Sequence, residues 1–314
     1  MKEKGKYNVW IAGGVVCAAL LMYGCSLFRS GSGDELKYVS FNIWGPYFKN
    51  PVSEREGGIA EYLVEQNADL IGLQECERDF WKSNRIFDEL GRRGYAWIAD
   101  GKDLRRDLNP LLYRKDRLEL VEGGVETFRH ADNPTGSKGF SWGVFRDRIG
   151  GNMFFSYSTH FWWRIDSGEA FRRNENMRVG NARQLIAKAK EVFGRYGELP
   201  IVGGGDLNST LLETPAALGE FGALDLKDAQ YTLKNASGWS SNHGYPKRDA
   251  EGKFQAFFKP GSENPSNSLD HVHFRLVEPI ALVVDRTPSV LVCSDHSPVI
   301  FTFRMNNAVQ VLDK

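Results

Sequence analysis

The chain has 314 residues, of which 41% are hydrophobic, 25% charged and 12% aromatic, and its 40 basic side chains balance 40 acidic ones. This is globular composition, which excludes a disordered, collagen-like or coiled-coil chain. Zero net charge excludes a global field that would recruit nucleic acid, so any polyanion has to be gripped locally. Four cysteines are too few for a disulfide scaffold.

Residues 1–24 read as a signal peptide. Lys2, Lys4 and Lys6 form a positive start, and an apolar run from Val9 to Tyr23 follows, interrupted by Gly13-Gly14. That run falls short of the roughly 20 apolar residues a spanning helix needs. Leu21-Met22-Tyr23-Gly24-Cys25 resembles a bacterial lipoprotein cleavage box, with Cys25 as the acylated residue at the head of a polar linker, 25–36. The expectation is an exported domain held at a membrane of the cell envelope by a lipid on Cys25.

From residue 37 to 305 strands and helices alternate without a repeat or linker, and 306–314 is a tail. Tyr38–Trp44 has strand character, Ile59–Gln66 helical, Asp69–Glu75 strand and Phe80–Leu90 helical, closed by Gly91. Tyr95–Ala99, Pro110–Tyr113, Arg117–Val121 and Met153–His160 read as further strands. Helical spacing of Met177, Ala182, Leu185, Ile186, Ala189 and Phe193 predicts a long helix over Ala170–Phe193. Strands are expected at Leu199–Val202, Ser268–Phe274 and on both sides of Asp295-His296. The stretch Asn235–Asn267, rich in Gly, Pro, Ser and Asn, is a loop long enough to be functional. It carries Trp239, His243, Tyr245, Lys247 and Arg248 and would rim a cleft. Cys76 and Cys293 lie in apolar runs, where a free buried thiol is the ordinary outcome; export also leaves room for a bridge between them.

Five apolar runs end in groups suited to metal or phosphate chemistry: Asn42, Glu75, His160, the pair Asp206 and Asn208, and the pair Asp295 and His296. Ligand sites of open α/β folds form beyond the carboxyl ends of strands. Oxygen ligands without a Cys/His cluster suit a hard divalent cation, Mg2+ before Mn2+ or Ca2+. Imidazoles beside carboxylates suit proton transfer and the neutralisation of a phosphoryl oxygen. The residues therefore point to metal-assisted phosphoester hydrolysis. Alternation in Leu269–Phe274 sets Asp270 on the face opposite His271 and His273, which leaves those two histidines structural or at the surface.

The ordered set Ser40-Phe41-Asn42-Ile43-Trp44, Leu73-Gln74-Glu75, Ser158-Thr159-His160, Gly205-Asp206-Leu207-Asn208, Leu269-Asp270-His271-Val272 and Ser294-Asp295-His296-Ser297-Pro298-Val299 resembles the endonuclease/exonuclease/phosphatase superfamily. The resemblance implies a four-layer α/β sandwich, two mixed sheets packed face to face with helices outside. It implies a metal held chiefly by Glu75, with Asn42 and Asp295, and an attacking water oriented or deprotonated by Asp206 and held by Asn208. It further implies that His296, oriented by Asp270, contacts the scissile phosphate, and that His160 is a second phosphate contact or the acid for the leaving group. Arg178, at the start of the long helix with Arg172 and Arg173, would contact phosphate. Asn109, Ser141 and Trp142 match a region that lines the family's cleft. Phe161-Trp162-Trp163-Arg164 follows His160, and Trp162 in particular would meet the substrate; packing in the core is the alternative. A small phosphomonoester or phosphodiester is the first substrate class, nucleic acid the second and a phospholipid headgroup, as for a sphingomyelinase or phospholipase C, the third. A non-catalytic binding lipoprotein on the same fold is a further alternative, and no protein partner is implied.

Overall fold

A computed structural model describes residues 34–46, 50–98, 108–129, 138–164 and 168–306. Residues 1–24, expected to be a signal peptide, Cys25, most of the expected linker and the tail beyond 306 lie outside the described residues. No helix among the described residues is long and apolar enough to cross a membrane.

The short runs rich in Val, Ile, Leu and Phe form strands because most are buried on both faces. Two six-stranded sheets result. The first contains β1 (Glu35–Asn42), β2 (Leu70–Gln74), β3 (Tyr95–Trp97), β4 (Leu111–Arg114), β13 (Val277–Val284) and β14 (Val299–Met305), in the order β13-β14-β1-β2-β4-β3. The second contains β5 (Leu118–Thr127), β6 (Gly139–Asp147), β7 (Met153–His160), β8 (Ile201–Asp206), β9 (Lys227–Asp228) and β12 (Asp270–Arg275), in the order β5-β6-β7-β8-β12-β9. Each sheet is mixed: β1 and β2 are parallel, as are β7 and β8, while their outer neighbours run antiparallel.

Three apolar cores separate four layers. Leu36, Tyr38, Leu70, Phe154, Val272 and Phe301 lie in the core between the two sheets. Phe41, Ile71 and Leu73 face outward from the first sheet onto α1 (Glu56–Gln66), α2 (Arg78–Ser83) and α3 (Arg85–Arg92). Phe155 and Ile201 face outward from the second onto α4 (Gly168–Tyr196), which contributes Ala182, Leu185, Ile186, Ala189 and Val192. Short helices α5 (Ala216–Glu220), α6 (Ala229–Thr232) and α7 (Pro288–Leu291) complete the chain. The four-layer sandwich expected from the sequence is the observed architecture.

The structure corrects several element boundaries. The single helix expected over Phe80–Leu90 is two, because Asn84 adopts a left-handed conformation (φ 60°) and its N–H closes α2 on the carbonyl of Phe80. The strand begun at Arg117 runs on to Thr127 through a bulge between Leu120 and Glu122, and β6 and β13 were not anticipated. The run before Asp295 is not a strand but α7, started by Pro288 in its first turn, so Asp295 and His296 precede a strand rather than end one. The 235–267 loop holds a small hairpin, β10 (Lys247–Arg248) with β11 (Phe254–Gln255). Cys76 and Cys293 are buried free thiols.

Candidate active site

Sheet register assembles the centre. In β7 and β8 His160 stands opposite Asp206, and in β8 and β12 Asp206 stands opposite Asp270. Three chemically active residues thus form a row across adjacent strand ends. Three consecutive glycines make that row possible. A Cβ on Gly203 would lie 2.4 Å from the ring of Tyr157, and one on Gly204 would lie 2.2 Å from the carbonyl oxygen of His271. A Cβ on Gly205 would lie 1.8 Å from the Thr159 carbonyl oxygen. Only a strand without side chains lets β7 and β12 close this tightly on β8.

The first sheet supplies the opposite wall. Asn42 ends β1 and directs its side-chain amide nitrogen at Glu75 Oε1 (3.1 Å) and Asp206 Oδ2 (3.0 Å). Its Oδ1 accepts from the Trp44 N–H at 3.0 Å. Asn42 therefore orients two carboxylates, with its own carbonyl oxygen turned to the backbone. Glu75 Oε2 accepts from the Gly45 N–H at 2.7 Å. Trp44, Glu75 and Asn208 all have positive φ, at 55°, 58° and 49°. Three non-glycine residues in the left-handed region within one site is backbone strain of the kind that functional centres hold. Behind them Arg55, wholly buried, donates to the carbonyls of Ile43 (2.8 Å) and Trp44 (2.6 Å) and also to that of Cys293, clamping together the loops that carry Asn42 and Asp295.

The two site histidines are in opposite states. Burial would lower His296, but Asp270 at 2.6 Å from Nδ1, with Asp295 and Asp206 nearby, pushes it up to about 10, so it is an imidazolium. Its Nε2 meets the side-chain amide of Asn242 at 2.9 Å and lies 3.9 Å from Asp206 Oδ2. Burial, with Lys138 and His296 adding to it, holds His160 well below the usual imidazole range. Its bare Nε2 accepts from Lys138 Nζ (2.6 Å) and from the Asn208 amide (3.1 Å). The 3.4 Å approach of His160 to Asp206 is thus not an ion pair. Burial and Asp270 raise Asp206 to about 6; burial also raises Asp295 to about 6, with Glu75 and Asp206 contributing. Asp206 Oδ1 accepts the Asn208 N–H at 2.8 Å, which fixes the carboxylate and the strained turn together.

The cleft has a volume of about 540 Å³, and Glu75, His160, Asp206, Asn208, Asp295 and His296 line it. Six of the site residues read from the sequence therefore converge on one cavity, with Asn42 and Asp270 directly behind. The three substrate contacts read from the sequence do not line it. Arg178 is fully buried, donating to Ser209 Oγ (3.1 Å) and the Trp163 carbonyl (3.2 Å). Asn109 is buried and donates to the Gly139 carbonyl at 3.2 Å. Trp162 is 5% exposed and stacks at 4.2 Å on Trp163, which is 47% exposed and does line the cleft. Lys138, Tyr245 and Asn242 also line the cleft without having been singled out for the centre. Lys138 is buried by its position at the start of β6, which pushes its ammonium down to about 8; no sequence motif marks it. His271 and His273 are buried on the far face, His271 bonded to Asp228 at 2.6 Å.

Glu75, His160 and Asp206 bring one ligand atom each within 4.8 Å of one another, as do Asp206, Asp270 and His296. The carboxylates at the cleft fit a hard cation: Asp206 is raised by burial and Asp270, and Asp295 by burial, Glu75 and Asp206, and a divalent ion would relieve both effects.

No family model matches the sequence, and no curated protein matches it. Solved structures do match. An endonuclease/exonuclease/phosphatase from Bacteroides vulgatus superposes with a TM-score of 0.64 at 20% identity, covering 87% of this chain and 99% of its own. The fold is that of endonuclease/exonuclease/phosphatase proteins. A mannosyl-6-phosphatase from Bacteroides thetaiotaomicron gives 0.62 at 21% identity over 85% of this chain and 99% of its own. The human nocturnin catalytic domain, with bound sulfate, gives 0.62 at 17% over 87% and 95%. The six motifs read from the sequence thus sit on the fold they were taken to indicate.

Proposed function

We propose that the protein is an exported, metal-dependent phosphoesterase that hydrolyses a small phosphomonoester or phosphodiester by attack of water. The observation that carries this reading is the row His160, Asp206, Asp270 on adjacent strands, completed by Glu75 from the other sheet and by His296. Mg2+ bound there would supply positive charge to the phosphoryl group, and Glu75 and Asp295 would hold it. Asp206, raised toward neutrality, takes the proton of the attacking water. The Asn208 amide and the His296 imidazolium hold phosphoryl oxygens. Asp270 keeps His296 charged and its ring oriented. Because the Nε2 of His160 is an acceptor, the cation on that side is Lys138, which faces the leaving group.

A small substrate is supported by a cleft within the size range of small-molecule sites, walled by Trp163 and Tyr245, and by the chain's neutral charge, which weakens any grip on long nucleic acid. The mannosyl-6-phosphatase among the structural neighbours supports the same class. The test is hydrolysis in Mg2+ against EDTA, comparing p-nitrophenyl phosphate, its bis-ester, sugar phosphates, inositol phosphates, sphingomyelin and plasmid DNA. Mg2+-dependent turnover of a small ester, lost in His296→Ala, is expected. Turnover confined to DNA or sphingomyelin would reassign the substrate, and none at all would favour a binding protein.

Export and anchoring rest on the Lys2-to-Cys25 segment. Envelope fractionation of the native chain against Cys25→Ser tests them: the native chain should be in the membrane fraction and the variant should be released. A native chain found in the cytosol would overturn the proposal.

A further inference from the structure

A second cavity, of about 370 Å³, adjoins the cleft and shares Asn242, Tyr245 and Asp295 with it. Its charge balance differs. The cleft mixes Glu75, Glu77, Asp206 and Asp295 with Lys138, Arg164 and His296, whereas the side cavity presents Lys247 and Lys259 around Phe257, with Asp295 only at the shared boundary. The chain as a whole is neutral, so this is a local arrangement.

The cavity is built by the 235–267 loop folding back on Asp295. The N–H groups of His243 and Gly244 both donate to the Asp295 carbonyl, at 3.1 and 3.2 Å, and the Lys259 N–H donates to the His243 carbonyl at 2.7 Å. Gly244 has φ 106°, and a Cβ there would lie 3.0 Å from the Phe257 ring and 3.3 Å from Lys259 Cβ. That close approach seats Phe257 and Lys259 against the backbone beside the catalytic loop. Lys247 Nζ sits 3.8 Å from the centroid of the Phe257 ring, which places the ammonium at the cavity wall by cation–π attraction. Next to it Arg248 pairs with Glu54 at 2.9 Å and stacks on Phe254 at 4.0 Å, tying the hairpin to the body of the domain.

We infer that this cavity is a subsite for a second phosphate, and that the substrates are small molecules carrying one phosphate beside the ester that is cleaved. The inference rests on the phosphoesterase reading for the cleft and names the substrate class of that site. Two ammonium groups without a guanidinium fork act as point charges, a geometry that suits a tetrahedral phosphate better than a planar carboxylate. Asn242, Tyr245 and Asp295 line both cavities, so one small molecule can place an anion in each. Cleft and side cavity are each in the range of small-molecule sites.

The full-length protein tests this through inhibition of Mg2+-dependent p-nitrophenyl phosphate hydrolysis by fructose 1,6-bisphosphate, fructose 6-phosphate and 3-phosphoglycerate. The same three ligands are measured by calorimetry. The bisphosphate should bind at least about tenfold more tightly than the monophosphate. Lys247→Ala combined with Lys259→Ala should remove that preference while leaving chromogenic turnover unchanged; Lys247→Glu alone, on the exposed strand, should weaken it and serves if the double variant fails to fold. Equal affinity for the two sugar phosphates, or a preference retained in the variants, overturns the subsite. Equal affinity for 3-phosphoglycerate and the bisphosphate overturns its assignment to phosphate. Lysine-dependent bisphosphate binding without hydrolysis overturns the esterase reading and leaves the subsite standing; neither binding nor hydrolysis overturns both.

Discussion

The Asn42 side chain reaches from one sheet to the other, donating to Glu75 and to Asp206 from a single nitrogen at 3.1 and 3.0 Å. It is a polar bridge across the open end of the sandwich, and it links the two carboxylates. Asn42→Asp would replace that donor with a further negative charge. Activity at saturating Mg2+ should fall about 100-fold, while the folded structure persists. Asn42→Ser, a smaller donor, should retain more activity than Asn42→Asp. Equal losses for the two variants would mean that charge at this position is unimportant.

Lys138 gives the site an alkaline limit. Burial pushes its ammonium down to about 8 despite the opposing pull of Glu75 and Asp206. As pH rises through that value the cation facing the leaving group is lost, so kcat should decline. Lys138→Arg keeps a positive charge at higher pH and should shift the decline upward; Lys138→Met should be about 100-fold slower at neutral pH, with a gap that narrows as pH rises past that value. A pH profile of kcat for the three proteins checks this, and a decline unmoved in Lys138→Arg would count against it.

Trp162 and Trp163 are adjacent in sequence and stacked, yet should behave differently. Trp162 is buried, with its backbone N–H donating to Asn181 Oδ1 at 3.0 Å, and losing the buried ring in Trp162→Ala should destabilise the fold by about 3–5 kcal/mol. Trp163→Ala removes an exposed ring from the cleft wall, and should raise KM about fivefold with little change in the denaturation midpoint. Urea melts and steady-state kinetics on both variants separate the roles.

His271 and Asp228 form a buried ion pair away from the cleft. Burial disfavours the charge on His271, but Asp228 outweighs it and raises the group above 6.5; burial likewise opposes the charge on Asp228, and His271 outweighs it, lowering that group below 3.8. His271 donates through Nδ1 to Asp228 and through Nε2 to the carbonyls of Ser209 and Ser268. The raised histidine contributes stability fully below 6.5 and loses it as pH rises through its folded value. The lowered aspartate contributes above 3.8 and loses it as pH falls through its folded value. The pair should therefore stabilise most between those two ordinary values. His271→Gln should cost about 3 kcal/mol in that window and less at alkaline pH. A constant difference across pH would show that the pair is not ionised.

Much of this was legible in the sequence because the candidate site residues terminate apolar runs. Asn42, Glu75, His160 and Asp206 end or follow strands whose continuous hydrophobicity marks them, and alternation alone separated Asp270 from His271 and His273. What was not legible depends on contacts distant in sequence. The break at Asn84 needs a left-handed residue that nothing in the local pattern requires. Lys138 joins the site only through the pairing of β6 with β7, in which the adjacent Gly139 stands opposite His160. Trp162 and Trp163 could not be told apart because the residues after a strand have no fixed alternation. Arg178 follows the helix pattern, but its length carries it beneath the Trp163 carbonyl rather than into the cleft.

The pairing of β1 with β14 has a consequence for how activity arises during synthesis. Residues 35–40 lie against residues 299–304, and the Ser294 hydroxyl donates to the Asn42 carbonyl at 2.7 Å. The strand that carries Asn42 is therefore without one neighbour until residues 299–304 have left the ribosome, and His296 joins the site in the same step. A nascent chain that stops short of those residues should be inert toward phosphoesters, and any activity should switch on in one closing event once they pair.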